Sequence, residues 1–155
     1  MSVMAKKKAK QAKKIQNRRA RFDYALDKEL IAGISLNGRE TKSLRLGHGH
    51  LRGAYVNIRK GEAWLTNATI TSSQGFTISE TEQSRERKLL LKKREIEALI
   101  EAKNQGKTIV PVEFMTGGRY IKLKLAAGKG KKHYDKREAI KKRDSARQVL
   151  RELKY

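Results

Sequence analysis

A mostly β fold, a small closed or partly open barrel with two or three flanking helices, is the fold class that the sequence predicts. Short runs of alternating apolar residues recur through the middle of the chain, and glycine-containing turns separate them. Charge is concentrated at the ends: residues 1–21 hold nine Lys or Arg and no acid, and the last 28 residues hold eleven against four acids. We therefore expect one core of about a hundred residues between two basic ends.

The N-terminal residues are predicted to form a disordered basic arm over positions 1–16. They are almost entirely Lys, Ala and Gln, and so little apolar surface does not offset the entropy lost on ordering. The barrel domain is expected over residues 17–127. Its first strand is predicted within residues 24–36, where apolar side chains alternate, and Asn37-Gly38 supplies the turn that follows.

A short helix is predicted over residues 39–46, because Thr41, Leu44 and Arg45 have helical spacing and a glycine ends the run. The sequence GHGH comes next, at residues 47–50. Neither of its histidines has a nearby Cys or a carboxylate cluster to complete a metal site. We interpret this segment as a flexible loop and expect no metal and no cofactor.

The first β-hairpin is predicted from two alternating segments, residues 54–59 and 62–71, with Lys60-Gly61 as the tight connection. Trp64 is expected to anchor packing in this hairpin. Residues 72–84 are polar and aperiodic, which is typical of a surface loop.

The period then changes, and a helix is predicted over residues 87–104, where apolar residues recur every three or four positions. A second hairpin follows, with strands at residues 108–116 and 119–126 around Gly117-Gly118. About five strands joined by short hairpins and interrupted by two helices favour a barrel of the oligonucleotide-binding type.

The C-terminal tail, residues 128–155, begins with Gly128 and Gly130, which we interpret as a hinge. Asp135 followed by Glu138 has the spacing of a capping box, so a helix is expected to begin at Asp135. The apolar stripe of this helix is narrow, and an isolated helix of its length is marginal in water. The tail is therefore expected to be helical mainly when it is bound to a partner.

The net charge of +22 and a pI near 10.4 indicate nucleic acid as the partner, because Lys and Arg neutralise phosphates and release counterions. An anionic membrane surface is the weaker alternative. No segment approaches the roughly 18 apolar residues of a membrane span, and we expect a cytoplasmic protein. The chain has no cysteine, which excludes disulfides.

Basic and aromatic residues are interleaved at two places, Arg18 to Tyr24 and Lys129 to Tyr134. Aromatic faces stack on unpaired bases in RNA recognition. For Phe22 and Tyr24, packing at the start of a strand explains the sequence at least as well. For Tyr134 we favour stacking or partner contact, because little apolar sequence surrounds it. Nucleotide-binding loops and nucleophile motifs are not found, so we expect no enzyme activity.

Five motifs in order resemble the small protein B family, which binds bacterial transfer-messenger RNA: NRRARFDY, GRETKSLR, RKLLLKKREI, TIVPVEF and GKGKKHYDKRE. They begin at residues 17, 38, 87, 108 and 128. The resemblance implies the same barrel fold with a basic tail. It also implies a role without catalysis in trans-translation, the rescue of ribosomes stalled on messages that lack a stop codon.

The partners implied by the resemblance are the tRNA-like domain of transfer-messenger RNA, small-subunit RNA of the ribosome and the elongation factor that delivers aminoacylated RNA. A monomer is expected. The barrel would bind RNA while the tail enters the empty message channel near the decoding centre. A ribosomal or architectural nucleic-acid-binding protein, without preference for this RNA, is the alternative that shares the charge.

The site residues implied by the resemblance fall into two groups. The RNA-binding group on the barrel is Arg19, Arg21, Tyr24, Lys42, Arg45, Arg87, Lys88, Leu91 and Arg94, with Leu91 as an apolar contact to a splayed base. The tail group is Gly130, Lys131, Lys132, Tyr134, Asp135, Lys136 and Arg137, with Tyr134 expected to stack on a decoding-centre base.

The chain departs from the family pattern at two positions and one loop. Phe22 stands where the family usually has His, and Ile31 stands where it usually has an acid that is associated with RNA contact. The loop at residues 70–85 lacks the aromatic and His-acid-Pro character of the family. The RNA contact of the missing acid is therefore not expected from Ile31.

Overall fold

The protein is described by a computed structural model over residues 14–73 and 75–153, without the side chains of residues 133–135. These residues form strands and helices in alternation. The strands are β1 (Ile15–Gln16), β2 (Tyr24–Leu26), β3 (Leu30–Ile34), β4 (Gly49–His50), β5 (Tyr55–Arg59), β6 (Glu62–Thr66), β7 (Thr69–Ile70), β8 (Arg87–Leu90), β9 (Thr108–Met115) and β10 (Lys122–Gly130). The helices are α1 (Arg18–Asp23), α2 (Gly38–Arg45), α3 (Glu80–Gln83), α4 (Lys93–Asn104) and α5 (His133–Glu152).

One curled antiparallel sheet forms the body of the protein. Its strand order is β1-β9-β10-β3-β8-β6-β5, and β2 pairs with the far end of β10. The outermost strand β5 approaches β9, so the sheet curls into a partly closed barrel. Strands β4 and β7 form a separate two-stranded ladder. The predicted mostly β fold of oligonucleotide-binding type is confirmed.

The hydrophobic core fills the inside of the curled sheet, because alternate residues of each strand point inward. Leu123 pairs with Phe114 on one side and Ala32 on the other, and all three are buried. From α4, Leu99 is buried in the core with 3% of its surface exposed and Ala102 packs beside the core, so this helix covers one side of the barrel.

Both predicted hairpins are confirmed. Strands β5 and β6 pair from Tyr55 opposite Thr66 to Arg59 opposite Glu62. Lys60 and Gly61 make the turn, and both have a positive φ, of 50° and 72°. Strands β9 and β10 form the second hairpin, with a register irregularity at Lys124 and Leu125 that lets both faces of β9 be buried there.

The helix predicted over residues 87–104 is wrong in its first third. Residues Arg87–Leu90 form β8, which pairs with β3 and β6, and the helix begins only at Lys93. In β8 the side chains alternate: Leu89 is 2% exposed and Leu90 is 58% exposed. A helical stripe and a strand look alike over so few residues, and pairing with two distant strands decides between them.

Three further expectations are corrected. Gly49 and His50 lie in β4, paired with Ile70 and Thr69, so the GHGH segment is not a loop throughout. The last two residues of the predicted arm, Ile15 and Gln16, pair with β9, and Ile15 is buried. Residues 1–13 of that arm lie outside the described residues. Residues 72–84 contain the short helix α3, which Ser79 caps.

The expected hinge at Gly128 and Gly130 is a paired strand. Both residues lie in β10, opposite Leu26 and Tyr24 of β2. A Cβ atom on Gly128 would lie 2.8 Å from the carbonyl oxygen of Ala25, so glycine at this position permits close strand approach. The helix α5 then begins at His133 with Lys132 at its N-cap, and Asp135 is inside the first turn instead of at the cap. No helix among the described residues is long and apolar enough to cross a membrane.

Candidate nucleic-acid interface

The outer face of the sheet is polar and charged apart from one apolar region. Because paired residues point to the same side of a sheet, the strand register defines this face. Charged and amide residues occupy its two ends. Across the sheet from β1 to β5 it carries Gln16, Glu113, Lys124, Ile31, Gly33, Leu90, Lys88, Trp64, Glu62, Asn57 and Arg59.

A network of ion pairs covers the β9, β10 and β3 part of this face. The ammonium of Lys124 lies 3.0 Å from the Glu113 carboxylate and 3.6 Å from that of Glu29. The guanidinium of Arg21 lies 3.0 Å from the same Glu29. The hydrogen bond from Lys124 lowers the pKa of the Glu113 carboxyl, and that carboxylate raises the pKa of Lys124. Because the folded pKa of Glu113 is depressed, its contribution to stability is present above the ordinary carboxyl pKa and is lost as pH falls through the folded pKa.

The apolar patch, defined here as Ile31 and Leu90, lies next to this network. Ile31 is 50% exposed and Leu90 is 58% exposed. Leu90 lies over Gly33, where a Cβ atom would come within 3.2 Å of the Leu90 Cβ. A cleft of about 520 Å³ opens beside the patch, with Lys88 on its wall. Two apolar side chains are thus presented to solvent beside cations.

Leu91, the predicted apolar RNA contact, is only partly buried and packs against the hydrophobic core. The exposed leucine is its neighbour Leu90, because the strand alternation of β8 places Leu89 inside and Leu90 outside. Leu90 is therefore the more exposed of the two, and both leucines line the same cleft. Leu90 is an apolar contact that the helical interpretation of this segment missed, and Leu91 stays a prediction.

Trp64 packs within the first hairpin on the outer face of the sheet, not in the hydrophobic core. Its neighbours Ala63 and Leu65 point inward and are fully buried, which places Trp64 on the outer face, half-buried. The Arg59 guanidinium lies over its ring at 5.4 Å from the centroid and also pairs with Glu86. Nearby, the ammonium of Lys88 lies 3.1 Å from the Glu62 carboxylate.

Arg87 is not an RNA-contacting residue, because its side chain is completely buried. Its Nε donates to the carboxylate of Glu40, which is also 0% exposed. Its four remaining N–H groups reach main-chain carbonyls at 3.0 to 3.1 Å: those of Ala68, Arg85, Glu82 and Gln83. Burial lowers the pKa of the Arg87 guanidinium, and the bond to Glu40 opposes that shift.

Glu40 is shared by two arginines. Arg85 also donates to this carboxylate, from its Nε at 2.9 Å. Helix α2 carries Glu40, and Asn37 caps the helix by accepting from the Glu40 N–H at 2.9 Å. The buried ion pairs therefore fasten α2 to β8 and to the segment that contains α3.

The other predicted residues of α2 face outward. The guanidinium of Arg45 donates to the carbonyls of Thr116, Gly118 and Arg119 at 2.7 to 3.2 Å, so it organises the β9–β10 turn. The ammonium of Lys42 lies over the Phe76 ring, 5.2 Å from its centroid. Both residues are exposed. Arg45 is bonded to main-chain carbonyls, whereas the Lys42 ammonium makes no such bond to a described residue.

Two more predicted residues lie around α1 and α4. Arg19 is exposed and lies 3.7 Å from the Asp23 carboxylate. It lines a cleft of about 200 Å³ together with Tyr24 and Tyr55. Arg94 is exposed in the first turn of α4, with no ion pair to any other described residue. The structure brings Lys88 and Leu91 together at one cleft and leaves Arg19, Lys42 and Arg45 on other parts of the surface.

The tail begins against α1. The backbone N–H of Lys131 donates to the Asp23 carbonyl at 2.8 Å, and its ammonium donates to the Arg21 carbonyl at 3.1 Å. Lys136 lies 3.1 Å from the Asp23 carboxylate. Lys136 and Arg143 both lie about 6 Å from the centroid of the Phe22 ring. Phe22 therefore contacts tail cations instead of the core.

Beyond this contact α5 is exposed along its length. Its apolar side chains remain open to solvent: Ile140 is 45%, Val149 54%, Leu150 61% and Leu153 77% exposed. Arg137 is exposed, and Gly130 ends β10. The side chains of Tyr134 and Asp135 lie outside the described residues. Among the described residues, no group of three or more His, Asp or Glu could hold a metal ion.

Relatives of known name match most of the chain. An SsrA-binding protein of Streptococcus agalactiae serotype III (strain NEM316) is 44% identical over 140 residues, covering 90% of this chain and 90% of the relative. That of Sphingopyxis alaskensis is 48% identical over 142 residues, 90% of this chain and 88% of the relative. That of Ruegeria sp. (strain TM1040) is 42% identical over 155 residues, 97% and 98% of the two chains.

A solved structure is also similar. It is described as "tmRNA-SmpB: a journey to the center of the bacterial ribosome", and its matching chain is 35% identical, with a TM-score of 0.65. The match covers 82% of this chain and 94% of that chain. The family model "SmpB protein" matches residues 14–155, from the first described strand through α5. Sequence, fold and family model agree, and the chain belongs to the SmpB protein family.

Proposed function

We propose that this protein is an RNA-binding adaptor of trans-translation. It binds the tRNA-like domain of transfer-messenger RNA and brings that RNA to ribosomes stalled on messages without a stop codon. The family match over residues 14–155 is the observation that carries the proposal, and the names of the relatives and of the similar structure support it. Its other partners are small-subunit RNA and the elongation factor that delivers aminoacylated RNA. It acts in the cytoplasm, as a monomer and without catalysis.

The barrel surface supplies RNA affinity and shape selection through different side chains. Lys88 lines the cleft beside the apolar patch, which provides a contact for a splayed base. Phosphate contacts are proposed from the other exposed cations. The proposed RNA-binding residues on the barrel are Arg19, Arg21, Tyr24, Lys42, Arg45, Lys88, Leu90, Leu91 and Arg94. Phosphate contacts set affinity and register, whereas base contacts discriminate between RNAs.

The tail is proposed to act in the message channel of the small subunit. A coding message and a basic helix compete for the same polyanionic channel, so the tail enters only when the channel is empty. The exposed cations and apolar side chains of α5 suit this role, because most of them are open to solvent while Lys136 and Arg143 contact α1. The proposed tail residues are Gly130, Lys131, Lys132, Tyr134, Asp135, Lys136 and Arg137.

The proposal predicts selective RNA binding that persists as salt rises. We expect the full-length protein to bind labelled transfer-messenger RNA at least about tenfold more tightly than an unrelated RNA of equal length, because the specific complex retains contacts that salt does not screen. The measurement is a binding titration across a salt series with polyanion competitor. Equal affinities that fall together with salt would identify a ribosomal or architectural nucleic-acid-binding protein instead.

A second expected result concerns the apolar patch. Leu90→Ala should weaken transfer-messenger RNA binding by about 1–2 kcal/mol, roughly 5- to 30-fold, because it removes apolar area buried against a base. Thermal stability should hardly change, since Leu90 is exposed in the free protein. Ile100→Ala is the matched control, because Ile100 is 37% exposed on α4. Equal RNA affinity of the two variants would show that the apolar patch does not contact the RNA.

A further inference from the structure

A basic cleft lies at the end of the barrel formed by the start of the described chain and the segment around β4. Its volume is about 530 Å³. One wall comes from β1 and the beginning of α1, and the other comes from residues 47–52. Its side chains of interest are those of Lys14, Arg18, Arg19, His50 and Arg52.

The charge of this cleft distinguishes it from the other clefts on the described surface. Its lining includes four Lys or Arg and one His, and it contains no carboxylate. The four other clefts described each contain an acid: Glu82, Asp23, Glu113, or Glu62 with Glu95. Arg18 and Arg52 are exposed and make no hydrogen bond or ion pair with another described residue. Arg18 and Arg52 are therefore the two cations of the cleft that no described carboxylate neutralises, whereas Arg19 pairs with Asp23.

Both walls are held by the core. Ile15 pairs with Phe114, and the buried Asn17 side chain donates to the Pro111 carbonyl at 3.0 Å. On the other wall, a Cβ atom on Gly49 would lie 2.7 Å from Leu44 Cδ2 and 3.5 Å from Ile15 Cδ1. This glycine lets the β4 backbone pack directly on the core. The cleft is thus preformed, which reduces the entropy lost when a ligand is bound.

We propose that this cleft binds consecutive phosphates of a structured RNA backbone, as a second contact separate from the apolar patch. The inference rests on the proposed function and specifies part of its interface. Arginine side chains present several donors in a fork that matches phosphate oxygens, and no Phe, Tyr or Trp lines the cleft, so that His50 is its one aromatic ring. It therefore contributes affinity and register instead of base selection.

The cleft and the apolar patch contact different parts of the RNA. β1 is separated from β3 by two strands in the sheet, and the cleft lies on the β1 and β4 side. A single nucleotide does not span two such surfaces. An extended or folded RNA segment does, which favours a structured RNA over a short single strand.

The test is the salt dependence of RNA binding by full-length variants. The double variant Arg18→Gln, Arg52→Gln should lower the magnitude of the slope of log affinity against log salt by about 1.4 to 1.8, since each of the two phosphate contacts contributes about 0.7 to 0.9. The control double variant Lys28→Gln, Lys60→Asn removes the same charge from exposed positions elsewhere, and Asn tolerates the positive φ at residue 60. Its slope should stay close to that of the unaltered protein.

The outcome separates this inference from the proposed function. Equal slope losses in the two double variants would overturn the cleft and leave net charge as the explanation. If the unaltered protein shows no preference for transfer-messenger RNA, the proposed function is overturned but the cleft is not. The difference in salt slope between the two double variants can still be measured on any structured RNA.

A site-directed probe gives an independent readout. The chain has no cysteine, so His50→Cys places a single iron-chelate cleavage probe in the lining of the cleft. We expect strand scission confined to one short RNA segment. Scission no greater than that from the same probe at Lys28→Cys would contradict the proposed site.

Discussion

Replacing Glu40 by Ala is expected to lower the free energy of unfolding by about 3–5 kcal/mol, because it leaves the buried Arg87 guanidinium without its counter-charge. Both side chains are fully buried, and Arg85 loses the same acceptor. A loss of this size is a large fraction of the total stability of a small domain, commonly about 5–15 kcal/mol. Urea unfolding followed by circular dichroism measures it.

Two comparison variants test whether the lost ion pair causes the loss of stability in Glu40→Ala. Arg39→Ala alters an exposed neighbour on α2 that donates only to the Thr77 carbonyl, at 3.2 Å, and should cost less than about 1 kcal/mol. Glu40→Gln keeps an acceptor oxygen without the charge and should lie between the two, so it provides a measurable variant if Glu40→Ala does not fold. A Glu40→Ala effect no larger than that of Arg39→Ala would contradict the structural role of this ion pair.

Removal of the tail after Lys132 is expected to abolish peptide tagging on stalled ribosomes while leaving RNA affinity within about threefold at moderate salt. The cut keeps all of β10 and the Lys131 bonds to α1, so the barrel remains intact. It removes α5, which the proposed function places in the message channel. Gel-shift titration measures RNA binding, and a reconstituted translation reaction measures tagging.

A tail of unchanged composition but scrambled order over residues 136–153 is the matched control for charge. It should keep RNA affinity and still lose tagging, because the order of cations and apolar residues on the helix is destroyed. Parallel loss of RNA binding and tagging in the truncated protein would contradict separate roles for barrel and tail. Full tagging by the scrambled tail would show that charge alone is sufficient.

Local patterns predicted the elements whose partners are close in sequence. The two hairpins and α2 were predicted because turn residues and helical spacing act over a few positions, as with Lys60-Gly61 and with Thr41, Leu44 and Arg45 of α2. The Asn37 cap of α2 was predicted only as a turn. The strand β8 was mistaken for helix because its partners β3 and β6 lie far away in sequence. The strand β4 was missed for the same reason, since only β7 completes it.

The candidate site shows the same division. The sequence indicated that basic residues would form the binding surface, because its excess of Lys and Arg is enough to predict a polyanionic partner. Only the structure shows that Arg87 is inaccessible to RNA and Lys88 is accessible, since the Arg87 side chain is 0% exposed and that of Lys88 is 42% exposed. Adjacent positions on a strand face opposite sides, so Leu90 is 58% exposed while Leu89 beside it is 2% exposed.

The sequence by itself determined that this protein has a small β core between basic ends and that it resembles an RNA-binding family, because composition, turns and ordered motifs are local properties of the chain. Only the tertiary structure decided which cations remain available. All donors of the Arg87 guanidinium are bonded, to Glu40 and to four carbonyls. Arg18 and Arg52, which are 34 positions apart in the sequence, line the same cleft. Burial and charge pairing depend on long-range contacts, and residue type alone does not specify them.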